Sequence, residues 1–327
     1  MENKNQIIVP NTSLEFDDGN IKSGSLYASN ESRFDAAHFS QPLTAFATGW
    51  KDNDDLVSML EFIAPTVHVG RRFEFKKADN SECFLSEEDD VRAIGSSFKR
   101  VEYSGNSVNE KTLNKGLTMR IDHDDVSGDN WQERYVQILI QRMYRNELRR
   151  AITALQSIAT KPITTIWTGL KGNPDSDLLD AIIKAGNEAG IDPNRALFGR
   201  SAWQIRHNAY ASSDKAGAFA GLIMQPNQFA AVVGLDDVRI SKERFNNTTT
   251  GEKKPMVNDS IVVFHGQGTI DKDDASTLKR FVTPIDGQQY RVYIQPHAKY
   301  TDITLEHYSN IITTSTLGVK TLKVSSK

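Results

Sequence analysis

The residues best placed to do chemistry are Asp122, His123, Asp124 and Asp125, four consecutive polar side chains just ahead of a long helical pattern. Carboxylates flanking an imidazole can hold a divalent cation or pass a proton, so Asp122, His123 and Asp124 support one reading, a metal-dependent enzyme. Adjacent residues seldom converge on one metal without a second cluster elsewhere, and acidic groups before a helix also complement the positive end of its dipole. The run Asp271-Lys272-Asp273-Asp274 opens like a calcium loop, but Ser276 stands where the turn needs glycine and Val282 where the bidentate glutamate belongs. Gly266-Gln267-Gly268 follows a strand-like segment, yet Asp271 takes the place of the third glycine of a dinucleotide fingerprint. Walker A, G-x-S-x-G and H-E-x-x-H patterns are absent from the sequence, and its seven histidines are dispersed. Ser201 reads as a helix cap. Cys83, the single cysteine, lies near the acidic run Glu87-Glu88-Asp89-Asp90, whose charge disfavours a reactive thiolate. The expectation is no catalytic residue, no cofactor, no metal and no enzyme.

The elements around these residues have a distinctive texture. Asp129 to Thr160 carries an amphipathic helical period through Trp131, Tyr135, Ile138, Leu139, Met143, Leu148, Ile152, Leu155 and Ile158. Asp129 with Gln132 predicts a capping box, and Lys161-Pro162 ends the helix. At a rise of about 1.5 Å per residue it would span about 48 Å, as long as a compact globule of this length is wide. That predicts a flat or elongated molecule built along a spine. Arg142, Arg145, Arg149 and Arg150 sit in its C-terminal half, as a solvated face or as partners for acids of a neighbouring chain.

Residues 1–45 are polar without a sustained period and read as an arm that orders against something else. A short helix spans Leu56 to Ile63, closed by Pro65. Alternation then marks strands around Val69, Phe73 and Phe75, around Phe98, Val101 and Tyr103, and around Leu117, Met119 and Ile121. Arg71 to Arg100 holds seven basic and seven acidic residues but few core-forming ones, so such a ribbon buries too little to stand alone. Beyond the long helix, strands are predicted at Ile163 to Trp167, Ala196 to Phe198, Ala230 to Ile240 and Ser260 to His265. Helices are predicted at Asp175 to Ala189 and Ser201 to Ala211, Asn246 to Lys254 is a polar loop, and β character returns from Gln289 to Gln295 and Ile303 to Val324.

The chain has 327 residues and a formal net charge of −3, which argues against an overall basic field for nucleic acid. One cysteine excludes an internal disulfide framework and fits a reducing cytoplasm. The N-terminal stretch lacks an apolar signal core and the sequence has no run of 18 apolar residues, so a soluble, unexported chain is expected, with no membrane partner.

Taken in order, polar arm, ribbon, long helix, mixed α/β region and returning strands resemble the major capsid protein of tailed bacteriophages, the Hong Kong 97 type. Pro193 to Trp203 resembles that family's strand, turn and helix opening the axial domain. Gly234 to Ser241 resembles its Gly-Leu-Pro-Val strand, with Asp236 where proline is common. Asn258 to His265 resembles the next strand, and Tyr290 to Gln295 with His307 to Ile312 the closing strands. The resemblance implies an α+β fold with an N-arm (1–45), a short helical connection (46–66), an extended β-hairpin loop (67–121), a peripheral domain (122–194 and 290–327, with the spine helix at 129–160) and an axial domain (195–289). It implies a subunit that forms pentamers and hexamers of an icosahedral shell enclosing double-stranded DNA, located in the virion and assembled in the host cytoplasm. Partners so implied are the chain itself, a separate scaffolding protein, portal and decoration proteins, and DNA held non-specifically. An encapsulin-like compartment shell is the alternative within the same fold. Inter-subunit contacts are expected at Arg71, Arg72, Glu87, Glu88, Asp89, Asp90, Lys99 and Arg100, acids meeting a neighbour's bases and the reverse.

Overall fold

The computed structural model describes residues 38–50, 55–77, 94, 97, 107–126, 128–159, 161–168, 172–214, 217–246, 251–267 and 276–327. Its helices are α1 (Gln41–Gly49), α2 (Leu56–Ile63), α3 (Trp131–Ile158), α4 (Pro174–Ala189), α5 (Arg200–Ala211), α6 (Ala218–Ile223) and α7 (Pro226–Val233). Its strands are β1 (Thr66–His68), β2 (Arg72–Lys76), β3 (Ser107–Lys111), β4 (Leu113–Asp122), β5 (Ile163–Ile166), β6 (Arg195–Gly199) and β7 (Asp237–Ser241). They continue with β8 (Arg244–Asn246), β9 (Lys253–Pro255), β10 (Ser260–Phe264), β11 (Leu278–Thr283), β12 (Arg291–Pro296), β13 (Tyr300–Thr313) and β14 (Lys320–Ser325). The chain divides into two units, one within Met1–Lys51, Lys115–Ile140 and Ile285–His307, the other within Asp52–Asn114, Gln141–Pro284 and Tyr308–Lys327.

In the first unit β12 pairs antiparallel with the start of β13, from Arg291 opposite Glu306 to Pro296 opposite Thr301. β4 pairs with β13 as well. The segment ahead of α1 closes this arrangement: Ser40 N donates to Val292 O (2.9 Å) and Val292 N donates to Thr44 Oγ1 (3.0 Å). Residues 41–45, expected as arm, are therefore helical, because Leu43 and Thr44 have an interior to enter and α1 buries both.

The second unit is organised on a five-stranded mixed sheet in the order β5-β14-β10-β6-β7, parallel at its two outer pairs and antiparallel inside. Leu178, Ile182, Ala202, Ala209, Phe229 and Val233 of α4, α5 and α7 bury against Phe198, Ile261, Val263, Leu322 and Val324 of that sheet. A second group of strands has β11 between parallel β1 and the antiparallel end of β13. Gly199 is needed where β6 turns into α5, since a Cβ there would lie 2.0 Å from the Asn258 carbonyl oxygen. That oxygen accepts from Ala202 N (3.1 Å) and fixes the loop before β10.

Several local expectations change. The long helix starts at Trp131, with Arg134 N donating to Asn130 O, so Asp129 falls outside the capping position. α5 starts at Arg200 with Gly199 at its cap, so Ser201 is not the N-cap. α4 starts at Pro174 with Asn173 at its cap, and Asp175 instead turns inward to Arg206. Ala230 to Val233 is helical rather than extended, because the Gln225–Gln228 capping box starts a helix that places Phe229, Ala230 and Val233 in the core. Asn246, Lys253 and Lys254, expected within a polar loop, are strand residues, because β8 and β9 pair antiparallel with Asn246 opposite Lys253 and Phe245 opposite Lys254.

Candidate assembly interface

β2 and β3, at the two ends of the segment expected as an extended loop, pair antiparallel, with Arg72 opposite Lys111, Phe73 opposite Glu110 and Phe75 opposite Val108. What anchors the pair is aromatic: the Phe73 and Phe75 rings lie 4.4 and 5.7 Å from that of Phe281 on β11, between centroids. Arg71 sits over the Tyr308 ring at 4.3 Å while its carbonyl accepts from Thr112 N. Arg72 is exposed on the strand. Thus one of the two expected arginines already contacts its own chain and the other faces outward. Glu87, Glu88, Asp89, Asp90, Lys99 and Arg100 lie outside the described residues, as do Cys83, the strand expected around Phe98 to Tyr103 and the run at Asp271 to Asp274.

The cluster at Asp122 to Asp125 forms a single 3-10 turn in which Asp122 Oδ1 accepts from Asp124 N (3.1 Å). His123 N donates to Lys299 O (2.9 Å), and its ring Nε2 is 2.9 Å from Thr301 Oγ1. Asp122 and His123 thus hold a turn against the start of β13. Among the described residues no three His, Cys, Asp or Glu side chains are placed to share a metal ion. Beside this turn, Arg120 Nε and Nη2 donate to both oxygens of buried Asp302 (2.9 and 3.0 Å), with the guanidinium 3.9 Å from the Tyr300 ring. The hydrogen bond from Arg120 to Asp302 raises the arginine's pKa.

On α3 the buried face is Leu139, Ile140, Met143, Tyr144, Leu148, Ala151, Ile152 and Leu155, interrupted by a fully enclosed carboxylate, Glu147. Its Oε1 accepts from Arg150 Nη1 (2.9 Å), and its Oε2 from Ser309 Oγ (3.0 Å) and Arg280 Nε (3.4 Å). Arg142 and Arg149 are exposed on the opposite side, and Arg149 stacks over Phe245 of β8 at 4.0 Å.

In the helical layer of the second unit, Arg206 is 2% exposed and donates through Nε and Nη2 to Asp175 (2.9 and 3.2 Å). Its Nη1 donates to Gly221 O (3.1 Å), and its guanidinium lies 4.5 to 5.0 Å from the rings of Phe229, Trp203 and Tyr210. Burial, with Asp175 adding to it, pushes the Tyr210 hydroxyl up to about 12. This anchor holds α6 in place while Phe219 and Ile223 stand out of it, 72% and 57% exposed. Such outward apolar side chains on a fixed element suit a protein–protein contact.

No family model matches the chain, and no curated protein sequence does. Solved structures do. A crystal structure of a phage-related protein from Bordetella bronchiseptica RB50 aligns over 88% of this chain and 97% of its own at a TM-score of 0.61, with 14% identity. The two share one fold. Two capsid structures, of the cyanophage P-SCSP1u and of mature bacteriophage PhiM1, cover 82% and 85% of this chain and 88% and 89% of their own. Their TM-scores are 0.49 and 0.48, at 9% and 11% identity. The α+β class expected from the sequence is the class observed, and the fold is the one shared with the phage-related protein.

Glu147 and Arg206 were not among the residues singled out from the sequence. Glu147 carries a signal there: it sits between Tyr144 and Leu148 on the apolar stripe, where a solvated glutamate would not fall. For Arg206 the partners Asp175 and Gly221 come from other elements, and nothing local announces them.

Proposed function

We propose that the chain is a major capsid protein, a shell subunit whose principal partner is itself. The observation that carries this reading is the fold held in common with a phage-related protein over nearly the whole of both chains. The order of elements read from the sequence supports the same conclusion. In this reading residues 1–45 reach toward neighbours, 67–121 form the extended loop, 122–194 with 290–327 the peripheral domain, and 195–289 the axial domain. Pentamers and hexamers close an icosahedral shell around double-stranded DNA in the virion, assembled in the host cytoplasm. Scaffolding, portal and decoration proteins are separate chains.

The mechanism is assembly. Exposed ion pairs contribute only about 0–1 kcal/mol each, so the outward Arg72 and the charges at Glu87, Glu88, Asp89, Asp90, Lys99 and Arg100 act as many weak, repeated contacts, which lets misplaced subunits leave. Arg71, already on Tyr308, orients the base of the ribbon. Electron microscopy of the purified chain, alone and with co-expressed scaffolding, tests the proposal. Closed shells or capsomers are expected; a small monodisperse species with tightly bound metal would overturn it in favour of the enzyme reading. Nuclease-protected DNA inside the particles is the expected cargo, and protein cargo in its place would move the chain to a compartment shell.

A further inference from the structure

α3 carries Arg142, Arg145 and Arg149 at spacings of three and four residues, which puts them on one stripe of the helix, Arg142 and Arg149 exposed and Arg145 half-buried. At 100° per residue the stripe lies opposite the face of Met143, Glu147 and Ala151 that enters the core. Among the described residues neither Arg142 nor Arg145 has a carboxylate partner, whereas Arg120, Arg150, Arg206, Arg239 and Arg291 each have one. Like charges three and four apart cost a helix about 0.2–0.5 kcal/mol per pair, so the stripe is unfavourable until something anionic covers it. Arg149 is held over Phe245, which brings the β8–β9 hairpin and its Lys254, opposite Phe245 in register, beside the stripe. Lys254 has Glu252 at 3.7 Å.

We propose that this stripe is the seat for the acidic run Glu87-Glu88-Asp89-Asp90 of a second copy of the chain. The inference rests on the shell reading and names the surface that the ribbon meets. Charge and length both fit. The run is the longest unbroken series of carboxylates in the sequence. Four extended residues span about 10 Å, and Arg142 to Arg149 covers about 10.5 Å of helix. Arginine also suits the role, because its planar guanidinium can grip a carboxylate through two hydrogen bonds where lysine offers a point charge. DNA is the competing polyanion, but it would not require the acidic run.

The test is a charge exchange. One variant carries Arg142→Glu, Arg145→Glu and Arg149→Glu; another carries Glu87→Lys, Glu88→Lys, Asp89→Lys and Asp90→Lys. Each alone should lower the yield of shells or capsomers at least tenfold, and an equimolar mixture should recover six-membered capsomers, in which the two chains alternate and each offers what the other lacks; a five-membered ring cannot alternate and should stay depleted. Normal assembly by either variant overturns the proposal. So does failure of the mixture to form six-membered capsomers, including the case where a single chain with both changes forms them and the mixture does not, because the pairing is then internal. A peptide of residues 84–93, followed by fluorescence anisotropy at low salt, gives a reading that needs no shell. It should bind the wild-type chain at least tenfold more tightly than the stripe variant. Equal binding overturns the proposal, whereas peptide binding by a wild-type chain that never assembles would count against the shell reading alone.

Discussion

Replacing Glu147 with alanine should destabilise the folded chain far more than loss of an ordinary helix salt bridge. The carboxylate side chain is 1% exposed and Arg280 is 3% exposed, so truncation leaves a buried guanidinium without its carboxylate. Breaking a buried pair in this way costs about 3–5 kcal/mol, a large part of the roughly 5–15 kcal/mol that holds a domain together. The Arg150 contribution is smaller, because that side chain is 54% exposed and water screens it. Urea denaturation followed by circular dichroism reads the change as a lower midpoint at unchanged slope. A second variant separates charge burial from packing. With Glu147→Leu and Arg280→Met together both charges are gone, and stability should return to within about 1 kcal/mol of the parent. A loss below 1 kcal/mol for Glu147→Ala would show that water reaches the pair and that the reasoning is wrong.

Other outcomes follow from the same geometry. Gly221→Ala places a Cβ 2.9 to 3.0 Å from the Tyr210 ring, so α6 must shift, at a cost of about 1–3 kcal/mol; an unchanged melting temperature would speak against the contact. Tyr210 should ionise near pH 12, beyond the ordinary tyrosine range. Its folded pKa is raised, so its stability contribution is complete below about pH 10 and is lost as pH climbs through 12. Absorbance titration at 295 nm should show a late step that Tyr210→Phe removes, and no change in that step sinks the assignment. Deleting residues 1–37 should leave soluble protein that makes no proper shells, as seen by sedimentation and microscopy, with normal particles refuting the role given to the arm. A deletion reaching residue 45 should also destabilise the chain, because Thr44 no longer caps Val292 N.

Much of the fold could be read from local pattern. The 3.6-residue period of α3 places Leu139, Met143, Leu148, Ile152 and Leu155 in the interior, where they are. Gly190 ends α4 in the left-handed conformation that only glycine adopts without strain. The departures share a cause. Ala230 to Val233 has strand-like composition, yet the capping box one turn earlier starts a helix, so a local hydrogen-bond pattern overrides propensity. Leu117 to Ile121 alternates as expected, but β4 pairs with β13 nearly 200 residues later, as the Thr118–Thr304 hydroxyl contact at 2.8 Å shows. Alternation identifies a strand and is silent about its partner. At the candidate interface, residue type alone could not tell Arg71, spent on Tyr308, from Arg72, which faces outward.

The arginines of α3 show how one helix serves two tasks. Read as a set, Arg142, Arg145, Arg149 and Arg150 all complement the helix dipole, and no member stands out. Helical geometry divides them. Arg150 turns to the buried carboxylate of Glu147 and contributes to the stability of its own chain, whereas Arg142, Arg145 and Arg149 project from the opposite side. Stability and association are then carried by different faces and should respond separately to mutation. The triple Arg→Glu stripe variant should lose no more than about 2 kcal/mol of unfolding free energy, the Arg149 contact with Phe245 included, while failing to assemble. Glu147→Ala should show the reverse order, a large fall in midpoint and an outer face that still binds the acidic peptide in conditions where the chain remains folded. If the stripe variant unfolded as readily as Glu147→Ala, the outer arginines would be structural, and the separation of the two faces would not hold.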